Sequence, residues 1–285
     1  MTKYLSSIGK PAAALMVSCL VSSAWADSEP AILNSIYANE PWRQTGLVGD
    51  DAWYFNIGAG VVNMPKYPGA SGTKTEIVPL VGANYGRYFI GANPDAGAAL
   101  ALGAYLLRDS NWRVGAAIAY DTFKPRSESD SQRLYGLGDI DRTTHAELFA
   151  IYAMSWAELR ASVQSDIGGR DQGTFATLDF MARYQATPSL TLTAGPGLTW
   201  GNSQHNQTFF GVDYLQSAKS QFPQYAAGSG VNAYRISMGA SYRLAPQWSL
   251  ALNVAASRLQ GDAGDSPIVE KKTQMTYGVL VGYQF

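Results

Sequence analysis

The sequence predicts an all-β fold, a transmembrane antiparallel up-and-down β-barrel of about 12 strands, and three observations point there. The 285-residue chain is 46% hydrophobic but only 15% charged, against the roughly 25% charge usual in a soluble domain. Beyond the N-terminal leader no run reaches the roughly 20 apolar residues that a membrane helix needs, and only a closed sheet can otherwise cross hydrocarbon with every amide satisfied. From Ala52 onward, segments of about ten residues alternate large apolar with small or polar positions, as barrel strands do.

The elements follow in order. Lys3 and Lys10 make a basic start, Pro11 to Val21 is largely apolar, and Ala24-Trp25-Ala26 is a small-x-small cleavage site. Residues 1–26 are therefore expected to be a signal peptide, cut before Asp27. Met16-Val17-Ser18-Cys19 loosely resembles a lipobox, but the apolar run continues past Cys19 and the better site lies downstream. Cys19 is the single cysteine, so its removal leaves no disulfide, thiolate catalyst or thiolate metal site. The stretch 27–51 has no sustained period and contains Pro30, Pro41 and Trp42. It reads as a periplasmic N-terminal segment or plug, with Tyr37 and Trp42 as anchors for a partner, and the barrel occupies 52–285.

Strands are expected at 52–63, 74–85, 87–93, 97–107, 111–122, 143–153, 157–167, 173–186, 189–201, 232–245, 247–259 and 273–285. The last is the clearest: Thr273, Met275, Tyr277, Val279, Val281, Tyr283 and Phe285 share one face, and of the large groups only Leu280 falls on the other. The first face should meet lipid. Connections should alternate between short periplasmic turns and long outer loops. Gly86, 108–110, 154–156, 187–188 and Pro246 are short, while 64–73, 123–142, 202–231 and 260–272 are long. The outer connections 94–96 and 168–172 break the rule. An even strand count puts both barrel ends in the periplasm. A soluble β-sandwich also alternates, but it has no use for strands averaging over ten residues or for a terminal aromatic.

Glu147, Glu158, Arg160, Asp166, Asp179, Arg183, Arg235 and Arg243 fall on the polar face of their strands. Two readings compete: a lumen charge network that fills and stiffens the interior, favoured by the balanced signs, or the lining of a narrow pore. Asp139 with Asp141, and Asp262 with Asp265, could offer oxygen ligands to calcium, but no EF-hand spacing is present and Gly-Asp pairs commonly shape turns. The two histidines are His145 and His205, and Ser203 lies near the latter; neither an orienting carboxylate nor an oxyanion site can be assigned to them. No enzyme, metal site or cofactor is therefore expected. Trp53, Trp112, Trp156, Trp200, Trp248, Tyr283 and Phe285 lie near strand ends, as interface girdles do. A net charge of −1 gives no reason to expect a nucleic-acid partner.

Four loop pieces then carry a family likeness: Pro65-Lys66-Tyr67-Pro68-Gly69-Ala70, Gly136-Leu137-Gly138-Asp139-Ile140-Asp141, Phe209-Phe210-Gly211-Val212 with Gln216-Ser217, and Gly261-Asp262-Ala263-Gly264-Asp265-Ser266-Pro267-Ile268-Val269. In this order, on such a barrel, the chain resembles the MipA/OmpV family from about Trp53 to Phe285, with Gln221 standing where the resemblance expects glycine. The resemblance implies a Gram-negative outer-membrane protein in contact with lipid, whose scaffold role joins a lytic murein transglycosylase to a bifunctional murein synthase. The alternative it leaves open is a narrow channel, or a surface-binding adhesion protein affecting small-molecule uptake. Tyr283 and Phe285 likewise resemble the C-terminal signal read by the barrel assembly machinery.

Overall fold

A computed structural model describes residues 53–285; the expected signal peptide, with Cys19 in it, and the segment 27–51 lie outside them. Twelve antiparallel strands form one closed barrel in up-and-down order, each paired with its sequence neighbours and β1 paired with β12. The first six are β1 (Trp53–Pro65), β2 (Thr73–Tyr85), β3 (Tyr88–Asn93), β4 (Ala98–Arg108), β5 (Trp112–Tyr120) and β6 (Thr144–Ala153). The rest are β7 (Ala157–Asp166), β8 (Thr174–Thr187), β9 (Leu190–Gly201), β10 (Gly230–Arg243), β11 (Trp248–Leu259) and β12 (Thr273–Gln284). Closure runs from Asn56↔Gln284 to Asn63↔Tyr277, and the Phe285 N–H donates to the Phe55 carbonyl at 3.1 Å. The alternation read from sequence thus becomes a cylinder with no free ladder at its seam.

The apolar side faces out. Ile57, Leu102, Ile118, Leu148, Met238 and Val254 are all exposed large hydrophobics, which water would penalise and hydrocarbon does not. At the short-turn rim aromatic rings pair up: Trp53 with Tyr85 at 5.0 Å, Trp112 with Tyr152 at 4.8 Å, Trp248 with Tyr283 at 5.0 Å, and Tyr283 with Phe285 at 4.8 Å between centroids. Trp200 stands exposed at the opposite rim, at the end of β9.

The interior is more apolar than the alternation suggests. Inward-facing Val62, Met64, Val78, Leu80 and Leu280 join loop residues Phe123, Leu134, Leu137, Val212, Phe222 and Ile268 in one buried apolar cluster. Phe89, Tyr105, Phe149 and Ile151 form a second. The first exists because the long connections fold back over the barrel mouth, where their apolar residues can leave water. They carry short helices at Ser203–Phe210, Tyr214–Lys219 and Gly261–Asp265, and two single 3-10 turns at Glu128–Asp130 and Gln132–Leu134. The loops are tied to each other: Gln216 Nε2 donates to the Leu137 carbonyl at 2.7 Å, Ser266 Oγ to the Phe210 carbonyl at 2.6 Å, and Tyr225 OH to the Asp262 carbonyl at 2.8 Å.

Candidate functional site

The most concentrated chemistry lies inside the barrel. After Gly91, whose φ of +86° suits glycine, the β3–β4 connection turns into the lumen instead of rising above the rim. Asn93 Oδ1 accepts the N–H groups of Asp95 and Ala96, each at 2.9 Å, which closes the turn on itself. Asp95 Oδ2 then accepts from Tyr105 OH at 2.9 Å and from Arg113 Nε at 3.0 Å. Arg113 Nη2 continues to Glu158 Oε1 at 2.9 Å, and Arg183 Nη2 lies 3.6 Å from the same oxygen. From β7, Arg160 Nη1 donates to the Pro94 carbonyl at 2.8 Å and to the Asp95 carbonyl at 3.0 Å. A turn between β3 and β4 is therefore clamped by side chains from β4, β5 and β7, and crosses part of the lumen to reach them.

Glu158, Arg160 and Arg183 of the eight charged candidates meet in this clamp. Asp179 pairs with Arg235 in a separate buried ion pair, and the β9 residue between them in register is Gly197. Glu147 is buried opposite Gln164. Asp166 and Arg243 lie elsewhere. Asp166 ends β7 at the rim, where its carboxylate accepts Thr143 Oγ1 at 2.6 Å and the N–H groups of Gly168 and Arg170 at 2.8 Å and of Gln172 at 3.0 Å. It organises the connection to β8. Arg243 ends β10 on the inward side but at the open short-turn mouth, where water reaches it.

Asp95, Tyr105 and Arg113 escaped the sequence reading. Arg113 was legible as the inward neighbour of Trp112. Asp95 was signalled only by the connection 94–96 being too short for an outer loop.

The remaining candidates have structural partners. Lys124 Nζ bonds Asp139 and lies 3.1 Å from Asp141. Asp262 Oδ2 accepts the Gly228 N–H at 2.7 Å, and Asp265 Oδ1 accepts from Lys272 Nζ at 2.6 Å. Among the described residues no cluster of His, Cys, Asp and Glu could hold a metal. His145 Nε2 is 2.8 Å from Asp121 Oδ1, buried, and Asp121 Oδ2 also accepts the Thr143 N–H at 2.8 Å. His205 is buried with Nδ1 2.8 Å from the Gln172 carbonyl, while Ser203 on the same helix is exposed. Residues two apart on a helix do not face each other, and these two do not meet.

Comparison with known proteins identifies the family. Residues 57–285 match the family described as MltA-interacting protein MipA. The chain belongs to that family. The MltA-interacting protein of Escherichia coli K12 is 25% identical over 236 residues, 81% of this chain and 90% of that one. Outer membrane protein OmpV of Vibrio cholerae is 26% identical over 206 residues, 72% of each chain, and Omp26La of Vibrio anguillarum is 25% identical over a stretch of the same length. Among solved structures, an outer membrane channel from Pseudomonas putida F1 aligns with a TM-score of 0.46 at 13% identity, covering 85% of this chain and 98% of that one. This MipA-family chain is thus an outer-membrane β-barrel with a lumen crossed by its own turn and roofed by its own loops.

Proposed function

We propose that the protein is a non-enzymatic outer-membrane anchor whose short-turn rim faces the periplasm and holds murein-processing enzymes. The observation that carries this reading is the covered interior. The apolar roof of loop residues and the clamped turn lie across the lumen, which makes the rims the surfaces most open to partners. Barrels of this class keep short turns on the periplasmic side, and the short-turn rim here also holds both ends of the barrel. A lytic transglycosylase is the first partner, in keeping with the name of the E. coli relative, MltA-interacting protein; a bifunctional murein synthase is the second. In this reading residues 1–26 direct export, and the barrel assembly machinery recognises Tyr283 and Phe285.

The test is recovery of partners on the tagged full-length chain from detergent-solubilised membranes. A lytic transglycosylase should co-purify at stoichiometric levels. Recovery of neither murein enzyme, from protein whose unboiled band shows the heat-modifiable migration of a closed barrel, overturns the scaffold. The second reading is a narrow channel, and the observation in its favour is that Arg113 and Arg183 keep 17% and 29% side-chain exposure inside the lumen. Sizeable current through the purified protein in a planar bilayer would select it.

A further inference from the structure

The barrel wall is incomplete on one side. β2 is paired with β1 along its whole length, but its ladder to β3 covers only Tyr85↔Tyr88 to Gly82↔Gly91. From Val81 up to Thr75, the other edge of β2 has no strand paired to it among the described residues. The cause is β3. It has 6 residues, fewer than the roughly 9–11 that carry a tilted strand across hydrocarbon, because the chain beyond Gly91 bends into the lumen to form the clamped turn. The bend is tight: a Cβ on Gly82 would lie 2.4 Å from the Ala92 carbonyl oxygen. The open edge holds Pro79, a residue that lacks an N–H and that sheets confine to edges.

The chemistry on both sides of this notch is the same. Outside, Ile77 and Val81 on β2 are 61% and 63% exposed, and Leu100 on β4 is 53% exposed. Immediately inside are Val78, Leu80, Ala92 and Phe123, all members of the buried apolar cluster. Around the rest of the barrel each wall strand is laddered to both neighbours over most of its length. Among the described residues, only here do an exposed apolar outer face and a buried apolar cluster adjoin a strand edge with no paired neighbour. Bare lipid against an unpaired strand edge is costly, and an apolar path that admits a chain from the side is a use for such an edge.

We propose that this notch is a lateral port, through which a hydrocarbon chain from the leaflet at the long-loop end reaches the apolar interior, with Phe123 as the inner stop. The port does not depend on the scaffold reading. Its test uses the full-length wild-type chain in phosphatidylcholine vesicles containing palmitic acid with a diazirine on the chain. After illumination, modified residues are located by peptide mapping. Adducts are expected on inward-facing Val78, Leu80 and Phe123, as well as on outward residues such as Ile57 and Leu148. Phe149 and Phe175, inward but behind laddered wall, should carry none. Label confined to outward residues overturns the port, and so does label spread evenly over all inward residues.

Discussion

Asp179 and Arg235 show what a charge costs inside this barrel. Both are buried, and each has given up hydration that the partner must replace. Removing one partner strands the other, at about 3–5 kcal/mol. Arg235→Met should therefore lower unfolding stability in urea by that order, and Asp179→Asn added to it should restore most of the loss. If the double variant is as unstable as the single, the pair is not the source of the effect. Arg126 is the opposite case. It is 2% exposed, its guanidinium donates to the Phe209 carbonyl at 3.3 Å, and burial pushes its pKa down to about 10. The guanidinium stays charged at neutral pH and bears the cost of its burial, so Arg126→Met should be neutral or stabilising in the same urea assay. Asp139 sets an acid limit on the roof. The Lys124 hydrogen bond, ahead of the Glu128 N–H and against burial, holds its carboxyl below the usual range. A depressed carboxylate stabilises the fold above its unfolded pKa of about 3.9, and that contribution is lost as pH falls through the lower folded value. The 121–143 loop should then become susceptible to pepsin below about pH 4, and Asp139→Asn should make it susceptible to trypsin at neutral pH.

At the scale of elements, the strands were legible because lipid and lumen impose opposite demands on alternate residues, and twelve segments obey them. β12 is the plainest, with Leu280 alone among its large side chains turned inward. Element placement therefore came from period alone. The loop helices did not, because segments of 5 to 8 residues are too short to show a helical face and hold their shape only through tertiary contacts. One signal was present: Asp213 and Gln216 form a capping box, which Asp-x-x-Gln in the sequence announces. The charged clamp was half legible. Register identifies Glu158, Arg160 and Arg183 as inward, but Asp95 acts from a turn whose inward bend no periodicity encodes. Gly197 links element to residue. A Cβ there would lie 2.0 Å from Asp179 Oδ1, so β9 needs glycine where the ion pair passes over it. Gly197→Val should separate the pair and cost at least as much as Arg235→Met in urea. Placed on top of the Asp179→Asn and Arg235→Met double variant, the same change should cost much less, since the crowded ion pair is gone.

For the whole molecule, the wall and the roof have different jobs. The wall is held by backbone ladders that hydrocarbon enforces, since no other partner exists for those amides. The roof is held by apolar burial and a few cross-loop bonds, among them Gln216 to Leu137, Gln221 to the Arg133 carbonyl at 3.3 Å, and the Val212↔Tyr225 bridge. Losing the roof should therefore leave the wall intact. Deleting residues 128–138 removes Leu134 and Leu137 from the apolar cluster together with the acceptors for Gln216 and Gln221. The variant should still show heat-modifiable migration, because no strand is touched. It should also pass current in a planar bilayer where the wild type passes little, limited by the clamped turn deeper in the lumen. Adding Arg160→Ala, which frees the Pro94 and Asp95 carbonyls from β7, should raise that current again. If the deletion conducts no better than the wild type, the loops are not what closes the barrel.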